Sequence, residues 1–170
     1  MKPEEFEKVY PFIVDWIRVT LVEHSAHIKP VATAGFKRLS QYFTAELLAS
    51  AKFVPVDVIP APPLSAMGLT QFEEFEKGEF NATTYFDTFF IKKHQVSNET
   101  IFFHELIHVV QWKLLGPEKF IMLYAGGLEK FGYRESPLEV MAYDAAEVFS
   151  KNKEPFDAEK LVAEKLRHLK

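Results

Sequence analysis

Residues 97–116, SNETIFFHELIHVVQWKLLG, constrain the fold of this chain more than any other segment. On a helical wheel, Phe102, Phe103, Leu106, Val109, Val110 and Leu114 cover most of the circumference, as in a helix wrapped by protein on nearly every side. Ser97 or Asn98 can cap its start, and Gly116-Pro117 marks its end. The remaining sector, about 120° wide by helical geometry, carries His104, Glu105, His108 and Gln111. A sector facing water would carry the Lys and Glu of a solvated helix, yet its only acid is Glu105. Buried, these groups need compensation for lost hydration, and a metal ion supplies it.

His104 and His108 project from one face, one turn apart, so two imidazoles can grip one ion. Glu105 is rotated about 100° from His104, where it can reach a water on the metal without binding the metal. This is the H-E-x-x-H arrangement of two zinc ligands and a general base. The chain has no cysteine, so any metal is held by His, Asp or Glu. Two histidines leave Zn²⁺ underligated. Candidates for the third ligand downstream are Glu129, Glu135, Glu139, Asp144 and Glu147. Glu139 is the best placed, on a following helix opened by Ser136-Pro137, after a break long enough to let that helix turn back. Ser136 and Glu139 also fit a capping box, S-x-x-E, and one carboxylate rarely serves both roles.

The rest of the chain reads as α+β, mostly helical, with a small sheet just before the motif helix. Apolar residues at three- and four-residue steps predict helices over 4–28 and 33–51. FVPVDVI alternates, predicting a strand at 53–59, with Pro55 suggesting an edge. PAPP at 60–63 is a stiff connector, and 68–80 fits either a short helix or a turn-rich loop. ATTYFDTFFIKK, 82–93, is β-branched and aromatic throughout and predicts one strand, at a sheet edge bordering the metal cleft over 82–91. Beyond the motif helix, residues 117–131 read as helical up to Gly126-Gly127, 136–150 as a helix, and 157–169 as a charged amphipathic helix. No internal repeat divides the 170 residues, so a single domain over 1–170 is expected, with the metal-site core at about 82–150.

Composition excludes several classes. With 48% apolar residues and 17 Phe, the chain can build a packed core. A formal charge of −4 without a basic stripe speaks against nucleic acid as a partner. No apolar run reaches the roughly 18 residues of a membrane span, and acidic residues stand where a secretory signal would be basic. A cytoplasmic protein with no membrane partner is the expectation. Among further groups, Tyr124, Tyr133 and Tyr143 could donate to an oxyanion. Tyr143, four residues after Glu139 and on its face, is the catalytic candidate, with a core tyrosine as the plainer alternative. Arg134 could hold a substrate carboxylate, brace Glu139 or make a surface ion pair. His24 and His27, three apart, could face solvent or form a second, weak metal pair.

HELIHVVQW followed by YRESPLEVMAY resembles the gluzincin clan of zinc metallopeptidases, and in particular its small, minimal members. The similar segments cover about 82–147. The resemblance implies a zincin-like fold, Zn²⁺ as cofactor, His104, His108 and Glu139 as ligands, Glu105 as general base, and a peptide or protein substrate lying along the strand before the motif helix. The chain departs from the best-known members, which carry N-E-x-x-S-D around the third ligand where this sequence reads PLEVMAYD. It also has no long C-terminal helical domain bearing a histidine for the transition state. Hydrolysis of a peptide bond is the expected function, weak or narrow in scope. The alternative is a zincin scaffold that keeps its metal and binds a partner without cutting it.

Overall fold

The computed structural model describes residues 3–151 and 154–169. They form a mixed α+β fold in which helices pack on both faces of a four-stranded sheet of order β1-β2-β4-β3. The strands are β1 (Lys29–Pro30), β2 (Lys52–Val56), β3 (Ala82–Tyr85) and β4 (Thr88–Lys92). β2 runs parallel to β4, while the β1–β2 and β3–β4 pairs are antiparallel. The helices are α1 (Pro3–Glu23), α2 (Ala45–Ser50), α3 (Glu73–Glu76), α4 (Glu99–Phe131), α5 (Pro137–Ser150) and α6 (Ala158–Arg167). Among the described residues, no helix is long and apolar enough to cross a membrane.

The continuous apolar run Phe89-Phe90-Ile91 marks β4 as buried on both faces. Phe89 and Ile91 join a core with Phe53, Phe102 and the inner sides of α5 and α6. Phe90 and Val54 belong to a second core with Ile17 of α1, Trp112 and Phe120. α4 therefore touches both cores, and its all-round apolar wheel is explained.

Several sequence expectations need correction. The first helix stops at Glu23 instead of 28, followed by a 3-10 turn and the short β1. The helix expected over 33–51 is two 3-10 turns and the six-residue α2. Gly35 takes a left-handed φ of 80° and stops the first turn. Thr44 starts α2 as an extended N-cap, accepting from Leu47 N. Phe36, Leu39, Phe43 and Leu47 still face the core, because tight turns can bury the same three- and four-residue steps as one helix. The strand expected over 53–59 is β2, 52–56; Pro55 lies beyond the two-residue pairing with β1, where β2 has β4 alone beside it.

The single strand expected over 82–93 is a hairpin. Only β3 is a sheet edge; β4 lies inside the sheet between β2 and β3. The turn residue Phe86 has a φ of 58°, a conformation usually left to Gly or Asn, so no turn signal interrupts the aromatic run. Its ring packs edge-on against Trp112 at 5.1 Å, tying the turn to α4.

The motif helix breaks at Gly116-Pro117 as expected: Gly116 is non-helical, at φ 72°, ψ 166°, and α4 is two helical segments joined across that kink. Gly126-Gly127 does not break the second segment, which continues to Phe131 and closes with Gly132 N donating to Leu128 O at 2.9 Å. Gly127 has a packing role. A Cβ there would sit 2.5 Å from Ser136 Oγ and 3.1 Å from Pro137 Cδ, so only glycine lets the start of α5 lie this close. Gly127→Val is expected to cost about 1–3 kcal/mol through overpacking and to push Glu139, three residues after Ser136, out of place. Urea denaturation checks this; an unchanged midpoint would contradict the close approach.

A candidate metal centre on α4 and α5

The kinked α4 and the returning α5 bring His104, His108 and Glu139 together. All are buried, at 8%, 5% and 1% exposure, as is Glu105 at 4%. The reading in which this sector faces water is thereby excluded. His104 Nε2 and His108 Nε2 lie 3.1 Å apart. Each is 3.4 Å from a Glu139 carboxylate oxygen, Oε2 for His104 and Oε1 for His108. Four-coordinate zinc with bonds of about 2.0–2.1 Å separates its ligand atoms by roughly 3.3 Å. The spacing of the two Nε2 atoms, and of each from its nearer carboxylate oxygen, is close to that ligand separation.

The surrounding hydrogen bonds fix the orientation of these donors. Gln111 Nε2 donates to Leu138 O at 3.0 Å, so its Oε1 is the acceptor for His108 Nδ1 at 2.8 Å. This bond keeps a hydrogen on Nδ1, so when His108 gives up its other proton the lone pair falls on Nε2, facing the cluster, the tautomer a metal ligand requires. Tyr124 Oη donates to Glu139 Oε1 at 2.6 Å, whereas the buried Glu139 Oε2 has no hydrogen-bond partner. Ser136 caps α5 by its backbone conformation but makes no side-chain cap bond. The capping-box role of Glu139 is therefore not realised: its carboxylate turns to the histidines. Two facing imidazole nitrogens and an orphaned carboxylate oxygen form a donor set that fits a metal cation.

Glu105 lies beside the cluster. Its Oε2 accepts from Thr84 Oγ1 at 2.7 Å, and burial raises its carboxyl above the ordinary range, against the opposing pull of both histidines. Trp112 Nε1 donates to Thr84 O at 3.1 Å, pinning β3 to α4. Asn81 O pairs with Lys92 N, so alternate residues Ala82 and Thr84 turn their backbone groups outward from the hairpin. The outward carbonyl of Thr84 is thus already taken.

The tyrosines divide. Tyr124, not Tyr143, puts its hydroxyl into the cluster, and burial keeps that hydroxyl protonated. Tyr143 packs its ring at a 58° tilt against His104, centroids 4.5 Å apart, with the Arg134 guanidinium over the Tyr143 ring at 3.7 Å. Arg134 therefore meets the Tyr143 ring face, and no contact of it with Glu139 is seen among the described residues. His24 and His27 form no second cluster among the described residues; His24 Nδ1 bonds to Thr20 O at 2.8 Å. Thr84, Trp112 and Tyr124 complete the surroundings of the site. Tyr124 was legible as a candidate, but Thr84 lies 21 residues from Glu105 with no spacing to announce it.

His108 and Glu139 of the cluster, with Glu105, border a partly open cavity of about 90 Å³. Thr84, Glu105, His108, Tyr124 and Glu139 line one side, and apolar side chains from α1, the 62–75 segment and α4 line the rest.

The electrostatics of the metal-free cluster give a testable pH dependence. Burial alone would lower the pKa of His108, but the facing Glu139 carboxylate outweighs it and raises it from 6.5 to about 9. Burial also opposes ionisation of Glu139, and His108 and His104 together overcome this and hold its carboxyl well below the usual range. A pKa raised on folding gives stability that is complete below the unfolded value and lost as pH rises through the folded one. A depressed carboxyl gives stability present above its unfolded pKa and lost as pH falls. The chelator-treated protein should therefore lose stability as pH rises from 6.5 toward about 9, and again as pH falls below 4.5. Zinc competes with the His108 proton, so its affinity should rise over the upper range. Urea midpoints across pH check this; a flat profile between pH 6.5 and 9 would contradict the His108–Glu139 pairing.

No known family pattern, no curated protein sequence and no solved structure matches the chain.

Proposed function

We propose that His104, His108 and Glu139 hold one zinc ion and that the protein is a hydrolase of the gluzincin metallopeptidase type, on a zincin-like fold. The observation that carries this reading is the donor triangle of two imidazoles and one carboxylate: the Nε2 atoms lie 3.1 Å apart, each is 3.4 Å from a different Glu139 oxygen, and the buried Oε2 has no hydrogen-bond partner. Two imidazoles and a carboxylate suit zinc, which when bound supplies a Lewis acid and lowers the pKa of water toward neutrality.

The chain's own residues supply the rest. Glu105 accepts the proton of the attacking water and passes it to the leaving amine. Its burial raises its basicity above that of an exposed carboxylate, and Thr84 Oγ1 keeps the carboxylate in one orientation. Gln111 holds the His108 ring, and Tyr124 holds Glu139. Tyr124 brings a neutral hydroxyl to the cluster where Tyr143 brings a ring, and to donate to a developing oxyanion its one hydrogen would have to leave Glu139 Oε1. The substrate is a peptide-type bond.

The test is a peptide-library assay with zinc-loaded protein beside chelator-stripped protein. Weak cleavage confined to a few sequences and dependent on zinc is expected. Cleavage that persists at full rate without metal would contradict the reading. No cleavage with zinc fully bound would favour the alternative, a metal-containing binding module.

A further inference from the structure

We infer that the cavity behind the metal cluster selects the substrate: it takes a small amphiphile whose apolar end fills the cavity while its carbonyl lies at the polar wall, and not an internal stretch of protein. The placement of the carbonyl rests on the metal-hydrolase reading above; the apolar selectivity of the cavity does not.

Three observations carry this. The cavity is one-sided in chemistry: two of the three ligand side chains, His108 and Glu139, and the base Glu105 border it, and most of the rest of its lining is aliphatic and aromatic, Ile13, Ile17 and Phe120 included. An apolar cavity of this kind favours apolar guests and holds water poorly. Second, its lining includes Leu64, Leu69 and Phe72 of the 62–75 segment, at 7%, 5% and 4% exposure, so on that side buried side chains and not an exposed groove border it. Third, the outward Thr84 carbonyl, which an extended peptide would use to add to the β3 edge, is occupied by the Trp112 indole. The resemblance to the gluzincin clan implied such an edge-bound peptide; the proposal replaces it with a buried end group.

The size of the guest follows from the volume. At one water-sized group per 10–15 Å³, about 90 Å³ admits roughly six such groups. That suits an aliphatic or aryl group of about six carbons, as on a short N-acyl compound or a chain end. Leu69 also lines an open groove between α1 and the 66–71 segment, beside Phe12 and Met67. Phe12 is 65% exposed there, and Leu69 is common to the lining of the groove and of the cavity.

The experiment uses the full chain and the n-alkyl hydroxamates from acetyl to octanoyl as probes. With zinc bound, affinity measured by calorimetry should rise about fourfold per added methylene until the cavity is filled, then stop rising. Ala125→Leu and Leu128→Phe, at cavity-lining positions away from the ligands, should keep full zinc content and shift that limit to shorter chains. Affinity independent of chain length in zinc-loaded protein would overturn the inference while leaving the metal reading intact. If zinc fails to bind, the metal reading fails and the cavity is still tested with benzene on the metal-free chain. Saturable thermal stabilisation of the wild type, lost in Ala125→Leu or Leu128→Phe, would support the inference, and no stabilisation would overturn it.

Discussion

Glu139→Ala should abolish stoichiometric zinc binding and lower the stability of the protein under all conditions in which zinc is present. The carboxylate closes the donor triangle, with one oxygen 3.4 Å from each histidine Nε2, and among the described residues the other acid beside the imidazoles is Glu105, which Thr84 holds. Loss of an outer hydrogen-bond partner of a metal ligand typically costs about 10–100-fold in affinity. Loss of the ligand itself should exceed that, so more than 100-fold weaker zinc binding is expected in competition with a chelator. The metal-free protein should suffer too. Glu139 is the countercharge that keeps His108 protonated up to about pH 9. Removing one partner of a buried charged pair costs about 3–5 kcal/mol. Glu139→Gln retains the shape and should still lose the zinc. Retention of one zinc per chain at wild-type affinity in either variant would remove Glu139 from the site.

Glu105→Gln separates the base from the metal. The amide is isosteric, and its oxygen can still accept from Thr84 Oγ1, so folding and zinc content should be unchanged. Loss of a positioned general base costs about 10²–10⁴ in rate. A fall of that size in any zinc-dependent cleavage, at constant zinc content, is the expected result. Equal rates in wild type and variant would exclude Glu105 as the base and with it the proposed mechanism.

The core of this site was legible because it is local. His104, Glu105, His108 and Gln111 share a sector of one strongly patterned helix, and the structure places all four in the interior. Glu139 was legible in part, as an acid on a helix with a clear start, yet Ser136 offered it a competing local role. Only packing decides between them: Gly127 draws in the start of α5, and the glutamate reaches the histidines. What sequence could not supply depends on long-range contact or on backbone exceptions. Thr84 meets Glu105, and Trp112 meets Thr84, across separations with no period. Phe86 turns a hairpin with a backbone conformation its residue type disfavours, so one strand was expected where two exist. The 33–51 segment keeps a helical apolar rhythm while Gly35 and Thr44 break it into turns. Thr44 donates from both N and Oγ1 to Glu159 of α6, at 2.8 and 2.7 Å, a contact 115 residues distant that no local pattern contains.

Zinc in the donor triangle is the central claim, and diffraction from zinc-loaded crystals above and below the zinc absorption edge tests it most directly. The expected result is one anomalous peak within about 2.0–2.2 Å of His104 Nε2, His108 Nε2 and a Glu139 carboxylate oxygen. A peak elsewhere, or none, with the three side chains still gathered as they are here, would contradict it.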